Sequence, residues 1–207
     1  MSSAQGRRGR VLTAISLRLI LAHNASFLFL IIEKVIRMTY HSPMATFILL
    51  SAIPGSGKST WAAAYAKAHP NTYIVSSDDL RIEITGHAND LSKDNLVWST
   101  FLERILSHKE EKDATVIADA TMINNHYRDY YYQQTKDFDK HVLVVWNLPF
   151  EQAEKQNESR EKEKIVPIKV MRNMAKFFEP VSRQVREEYD EIIEISHLEK
   201  AERTKPK

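Results

Sequence analysis

The chain of 207 residues is 43% hydrophobic and 27% charged, a balance that suits one globular α/β domain with a substantial core and leaves little room for two. It has no cysteine, which excludes a disulfide scaffold, a thiolate metal site and a cysteine nucleophile, and agrees best with a reducing, cytoplasmic setting. The net charge of +2 does not argue for a nucleic-acid partner, because residues 1–37 hold six basic groups and one acidic group, leaving 23 basic against 26 acidic in the rest.

Residues 1–43 read as an N-terminal extension. "GRRGR" precedes "VLTAISLRLILAHNASFLFLII", whose apolar character is broken by Arg18, His23 and Asn24. The longest clean apolar run, 25–32, falls far short of the roughly 20 residues a membrane-spanning helix needs, so no integral span is expected. Arg18 and the lack of a small-x-small cleavage site disfavour a secretory signal. Translation beginning at Met38 or Met44 is the expectation here; a membrane-surface amphipathic segment is the alternative.

From Met44 strands and helices alternate. "TFILLS" (46–51) reads as a strand, the alanine-rich 58–69 as a helix, and "TYIVSS" (72–77) as a second strand. The spacing predicts a helix over 92–111 with Leu96, Val97, Phe101, Ile105 and Leu106 on one side and Ser92 as its N-cap. "ATVIAD" (114–119) is a buried-type strand, followed by a helix over about 125–134 and a fourth strand at 141–148. A polar helix at 149–164, an amphipathic one at 166–180 and a last strand closing 186–196 complete the series, with 199–207 as a mobile tail. Alternation of this kind implies a mostly parallel sheet of about five strands with helices on both faces.

Between the first strand and the first helix lies "SAIPGSGKSTW" (51–61), which matches the phosphate-loop pattern G-x-x-x-x-G-K-[ST] except that Ala52 replaces its first glycine. Two of the chain's five glycines are Gly55 and Gly57, placed where backbone turns sharply and approaches a ligand. Backbone N–H groups from Gly55, Ser56 and Gly57 through Thr60 can cradle a β-phosphate at the positive end of the helix. Lys58 reaches the β- and γ-phosphates, and the Ser59 hydroxyl is the candidate Mg²⁺ ligand. Ala52 is tolerated if its φ is negative. The fold expectation is therefore α/β of the P-loop NTPase type over 44–198.

The acceptor is read from later strands. "VIADAT" carries Asp119 followed by Ala120, not the Asp-Glu of a water-activating ATPase, and no N-K-x-D guanine signature follows the fourth strand. The second strand ends "SSDDLR", putting Asp78 and Arg81 at its carboxyl end, expected beside the loop-bearing first strand. Asp78 can accept a hydroxyl proton and Arg81 can hold a phosphate bidentately. The blander reading is an Asp-Asp helix start with Arg81 solvated.

"PGSGKSTW", "VSSDDLR", "VIADAT" and "VPIKVMRNM", in that order over residues 46–196, resemble the polynucleotide 5′-kinases of the bacterial and phage RNA-repair type, an AAA-type ATP-binding domain with zeta-toxin relatives. The resemblance implies ATP and Mg²⁺, transfer of the γ-phosphate to a 5′-hydroxyl, Asp78 as general base, Arg81 at the acceptor phosphate and Asp119 beside the acceptor. It also implies Arg160 as the lid arginine on the donor phosphates, with Lys162 and Lys164 assisting. Three departures stand out: Met122 replaces an Asn after D-A-T, Gln156 stands where some relatives have a second lid arginine, and there is no room for a phosphatase domain. "DFDK" (137–140) lacks the Gly-Thr of that domain's motif and reads as a turn. The alternatives are a small-molecule P-loop kinase of nucleotide sugars or nucleosides, toward which the acidic body leans, and an ATP-binding module without turnover.

Overall fold

The computed structural model describes residues 44–196. The expected N-terminal extension (1–43), residues 197–198 and the expected mobile tail (199–207) lie outside the described residues. The elements run β1 (Thr46–Ser51), α1 (Lys58–Ala68), β2 (Thr72–Ser76), α2 (Ser77–Thr85) and α3 (Asp94–Leu106), followed by β3 (Thr115–Asp119) and α4 (Asn125–Gln134). Then come β4 (Lys140–Trp146), α5 (Phe150–Glu158), a 3₁₀ turn (Lys162–Lys164), α6 (Ile168–Lys176), α7 (Arg183–Glu188) and β5 (Glu191–Ile195). No described helix is long and apolar enough to cross a membrane.

All five strands are parallel, in the order β2-β3-β1-β4-β5. The side-chain period of two divides β1 between two cores. Phe47 and Leu49 join Val97, Phe101 and Ile105 of α3 and Tyr131 of α4. Ile48 and Leu50 turn the other way, onto Ala62 and the half-buried Trp61 and Tyr65 of α1. Helices therefore cover both faces, as the alternating pattern requires. A third, smaller cluster of Ile53, Ala153 and Met171 fastens α5 and α6 beside the phosphate loop.

The polar helix expected at 149–164 stops at Glu158, and the amphipathic one expected at 166–180 spans only Ile168–Lys176. Two further expectations need correction. β2 is not beside β1: β3 pairs with both, with Leu49 opposite Ala118 and Ser76 opposite Asp119. The first crossover passes over one strand position, a choice that alternation of elements does not specify. The helix expected at 92–111 spans only Asp94–Leu106, and its N-cap is Lys93 without a side-chain bond, not Ser92. Ser92 instead donates its N–H to Asp90 Oδ1. Leu96 is exposed, while Val97, Phe101 and Ile105 form the buried stripe.

Candidate active site

The loop after β1 is built by position-specific backbone. Gly55 and Gly57 have φ of 78° and 88°, in the left-handed region, and Gly57 is the N-cap of α1. At Gly55 the restriction is also steric, since a Cβ there would lie 2.1 Å from the carbonyl oxygen of Ala153 on α5. Ala52 is fully buried among Ile48, Leu50 and Ala62 and is not among the described residues of positive φ, so a small methyl suits the position. The missing first glycine is a core alanine.

Gly55, Gly57, Lys58, Ser59, Thr60 and Arg160 line a cavity of about 280 Å³ at the N-terminus of α1, together with Gln156 and Ser159. Ser56 is buried and does not line this cavity; its hydroxyl has no hydrogen-bond partner among the described residues. Two left-handed glycines, a helix N-terminus, a lysine and a hydroxyl form a donor set suited to polyphosphate, and the close passage of α5 leaves that cradle no room for a side chain at Gly55.

A second cavity of about 590 Å³ shares Lys58, Ser59 and Arg160 with the first and brings in Asp78, Arg81 and Asp119. Because β3 lies between β1 and β2, Asp119 stands between the loop and Asp78 in strand order. Asp119 is buried, closing β3 opposite Ser76, and Ser77 Oγ lies 3.5 Å from its carbonyl oxygen. Asp78 sits in the first turn of α2, whose N-cap Ser76 accepts from the Asp79 N–H at 3.2 Å. Acids in that turn are stabilised by the helix dipole.

The helix start expected of the blander reading is therefore present, but Arg81 is not solvated. It is 7% exposed and its Nη1 pairs with Asp94 Oδ1 of α3. Asp94 Oδ2 in turn accepts from Trp98 Nε1 at 3.1 Å. Arg160 Nη2 lies 3.4 Å from Asp78 Oδ2, and Lys164 Nζ lies 3.2 Å from Asp79 Oδ1. Lys162 lines neither cavity. No cluster of three His, Cys, Asp or Glu side chains suited to a metal occurs among the described residues. Mg²⁺ commonly keeps several waters and takes one or two carboxylates plus phosphates, and Ser59 with Asp119 fits that lean donor set.

Sequence reading missed two supports. Arg128 of α4 is fully buried. Its guanidinium donates to Ser51 Oγ at 3.1 and 3.0 Å, to Asn125 Oδ1 at 3.0 Å, to the Glu179 carbonyl at 2.9 Å and to the Ile123 carbonyl at 3.3 Å. It also lies 5.4 Å from the centre of the Phe178 ring. Burial lowers its pKa, partly opposed by the Glu179 carboxylate. Ser51 Oγ donates its own O–H to the Met122 carbonyl at 2.6 Å, so the end of β1, the strand-to-helix turn after β3 and residues 179–180 are locked together. Asn157 is the second support: its amide bonds both the N–H and the carbonyl of Val166, at 3.1 and 2.8 Å, and holds the arm bearing Arg160. "DFDK" is a turn into β4, with Asp139 Oδ2 accepting the Ala45 N–H.

Solved structures share the fold. A subunit of the Pnkp1/Rnl/Hen1 RNA repair complex aligns with a TM-score of 0.60 and 18% identity over 73% of this chain and 48% of its own length. A fungal RNA kinase aligns at 0.55 and 14% identity over 79% of each chain. A gluconokinase from Sinorhizobium meliloti 1021 aligns at 0.51 and 16% identity over 75% of this chain and 85% of its own. The chain thus spans about half of the RNA-repair subunit and most of the other two. With the phosphate loop after β1, the five-stranded parallel sheet and this common architecture, the chain belongs to the AAA domain family, which matches it over residues 48–181.

Proposed function

We propose that the protein is an ATP-dependent kinase that phosphorylates a hydroxyl group, with the 5′-hydroxyl of a polynucleotide as the acceptor. The observation that carries this reading is that Lys58, Ser59 and Arg160 belong to both cavities, so donor phosphates held by the loop lie against the cavity containing Asp78 and Asp119. ATP supplies a γ-phosphoryl whose bond to the β-phosphate breaks as the acceptor oxygen bonds to phosphorus, and Mg²⁺ supplies charge neutralisation. The backbone N–H groups of the loop and Lys58 hold the donor phosphates. Ser59 and Asp119 would hold the metal. Asp78 takes the acceptor's proton, and Arg160 clamps the phosphoryl group from the lid side. Arg81 lines the acceptor cavity and is paired with Asp94, so it contacts an acceptor phosphate only by sharing its guanidinium with that carboxylate. Rate enhancement on this reading comes mainly from positioning and charge.

The RNA-repair and RNA-kinase neighbours support a polynucleotide acceptor, and the gluconokinase neighbour supports the second reading, a small-molecule acceptor such as a nucleoside, a nucleotide sugar or a sugar. The acidic balance outside residues 1–37 favours the latter, since long strands are usually held by a basic track. Incubation of the full chain with γ-labelled ATP and a panel of 5′-hydroxyl oligoribonucleotides, oligodeoxynucleotides, nucleosides and sugars separates them. Label at oligonucleotide 5′ ends supports the proposal. Label only in a nucleoside or sugar supports the second reading, and ATP binding with no transfer supports a non-catalytic module.

A further inference from the structure

We infer that the groove between α3 and α4 is the subsite for the nucleobases at the reacting end of the acceptor, an inference that rests on the phosphotransfer reading above. The groove has a volume of about 1100 Å³ and is lined by Trp98, Leu102, Leu106, Met122, Tyr127 and Tyr130, among others. It exceeds the roughly 300–1,000 Å³ usual for a small-molecule site, so it admits more than one ring system. It shares Asp94, Trp98, Thr121 and Met174 with the cavity that holds Asp78 and Asp119, so the two form one continuous depression.

Chemistry narrows the occupant. Tyr127 and Tyr130 lie three residues apart on α4, on one face, and stay 47% and 42% exposed. The adjacent Tyr131 is buried in the main core, and Tyr132 packs against His141 and Tyr189. Two aromatic rings left open beside a reaction cavity offer stacking faces for planar groups. No lysine or arginine is among the residues lining the groove, and its acids are Asp94, already paired with Arg81, and Glu103. A phosphodiester backbone would be repelled there, whereas an uncharged base is not. Asp94 couples the two compartments, holding Arg81 through one oxygen and the Trp98 indole through the other. Bases therefore enter the groove, and phosphates remain outside it, in the adjoining cavity that holds Lys58, Arg81 and Arg160.

The test uses the full chain and matched 5′-hydroxyl oligonucleotides whose two terminal nucleotides are either base-bearing or abasic. Tyr127→Ala, Tyr130→Ala and the double variant are compared with Tyr→Phe at each position. The expected result is a KM for the base-bearing acceptor raised about tenfold by each alanine, with kcat near wild type and with recovery by phenylalanine. The abasic acceptor should show a raised KM in wild type and no further penalty in the double variant. Equal KM for the two acceptors in wild type, or a tyrosine effect that persists on the abasic strand, would overturn the subsite. An unchanged KM with an altered oligomeric state would assign the groove to a second copy of the chain and overturn it likewise. Should no acceptor be labelled, the phosphotransfer reading fails, and the groove is judged separately by quenching of tryptophan fluorescence. Preferential quenching by the base-bearing strand then upholds base binding, and equal quenching rejects it.

Discussion

Arg160 Nη2 lies 3.4 Å from Asp78 Oδ2, so the arginine proposed for the lid rests on the carboxylate proposed as the base. Asn157 holds the arm that carries the guanidinium, and the same arginine borders the loop cavity. A charge placed between donor phosphates and the acceptor's proton acceptor serves both in turn. Replacing Arg160 with Ala should lower kcat about a thousandfold while changing ATP affinity far less, and Lys should restore little, because it lacks the planar fork. Steady-state kinetics alongside equilibrium nucleotide binding checks this.

Gly55 and Gly86 share a positive φ but differ in surroundings. A Cβ at Gly55 would meet the Ala153 carbonyl at 2.1 Å, whereas at Gly86, the C-cap of α2, nothing lies within 4 Å. Gly86→Ala should cost only the left-handed strain, about 1–2 kcal/mol, with activity retained. Gly55→Ala should cost about 3 kcal/mol or more and abolish nucleotide binding, because α5 and the loop must separate. Urea denaturation paired with nucleotide titration distinguishes the two.

Arg128→Met fills much the same volume but leaves Ser51 Oγ and the carbonyls of Ile123 and Glu179 without their donor. The expected loss is about 3–5 kcal/mol in unfolding free energy. Substrate affinity should fall in the folded fraction as well, since the end of β1 loses its anchor next to the loop. Chemical denaturation followed by binding measured below the transition tests both parts.

Burial lowers the pKa of His141, against smaller opposing contributions from its bond to the Thr135 carbonyl and from Asp190. Its Nε2 donates to that carbonyl at 2.8 Å, and the ring packs among Phe47, Tyr132 and Tyr189. The unfolded chain therefore takes up a proton below about pH 6.5 that the folded chain refuses. This residue's contribution to stability is full above that pH and is lost as pH falls toward the lower folded value. The urea midpoint of wild type should drop more between about pH 7.5 and 5 than that of His141→Gln, which keeps a donor and cannot titrate.

The loop and its flanking elements were legible because local signals agree there: an apolar run, two glycines in a glycine-poor chain and an alanine-rich helix start within a dozen residues. Strands β1 and β3 and helix α4 lie where periodicity places them, within a residue at each end. Strand order was not legible, since either neighbour of β1 satisfies the same right-handed crossover. Arg128 was hidden for a related reason. Its partners Ser51 and Glu179 are 77 and 51 residues away, and an arginine among tyrosines on a polar helix carries no local sign of burial. Arg81 was singled out, but its pairing with Asp94 depends on how α2 meets α3. The open tyrosines at 127 and 130 did have a sequence signal, an i,i+3 aromatic pair on a helix whose mean composition is polar.

The central claim is that a hydroxyl held beside Asp78 receives the phosphoryl group from a donor held by the loop. The most direct test is transfer of label from γ-labelled ATP to the 5′ end of a 5′-hydroxyl oligonucleotide by wild type and Asp78→Ala, with ATP affinity measured for both. The account predicts robust labelling by wild type and loss of transfer in the variant at nearly unchanged ATP affinity. Undiminished 5′ labelling by Asp78→Ala would contradict it.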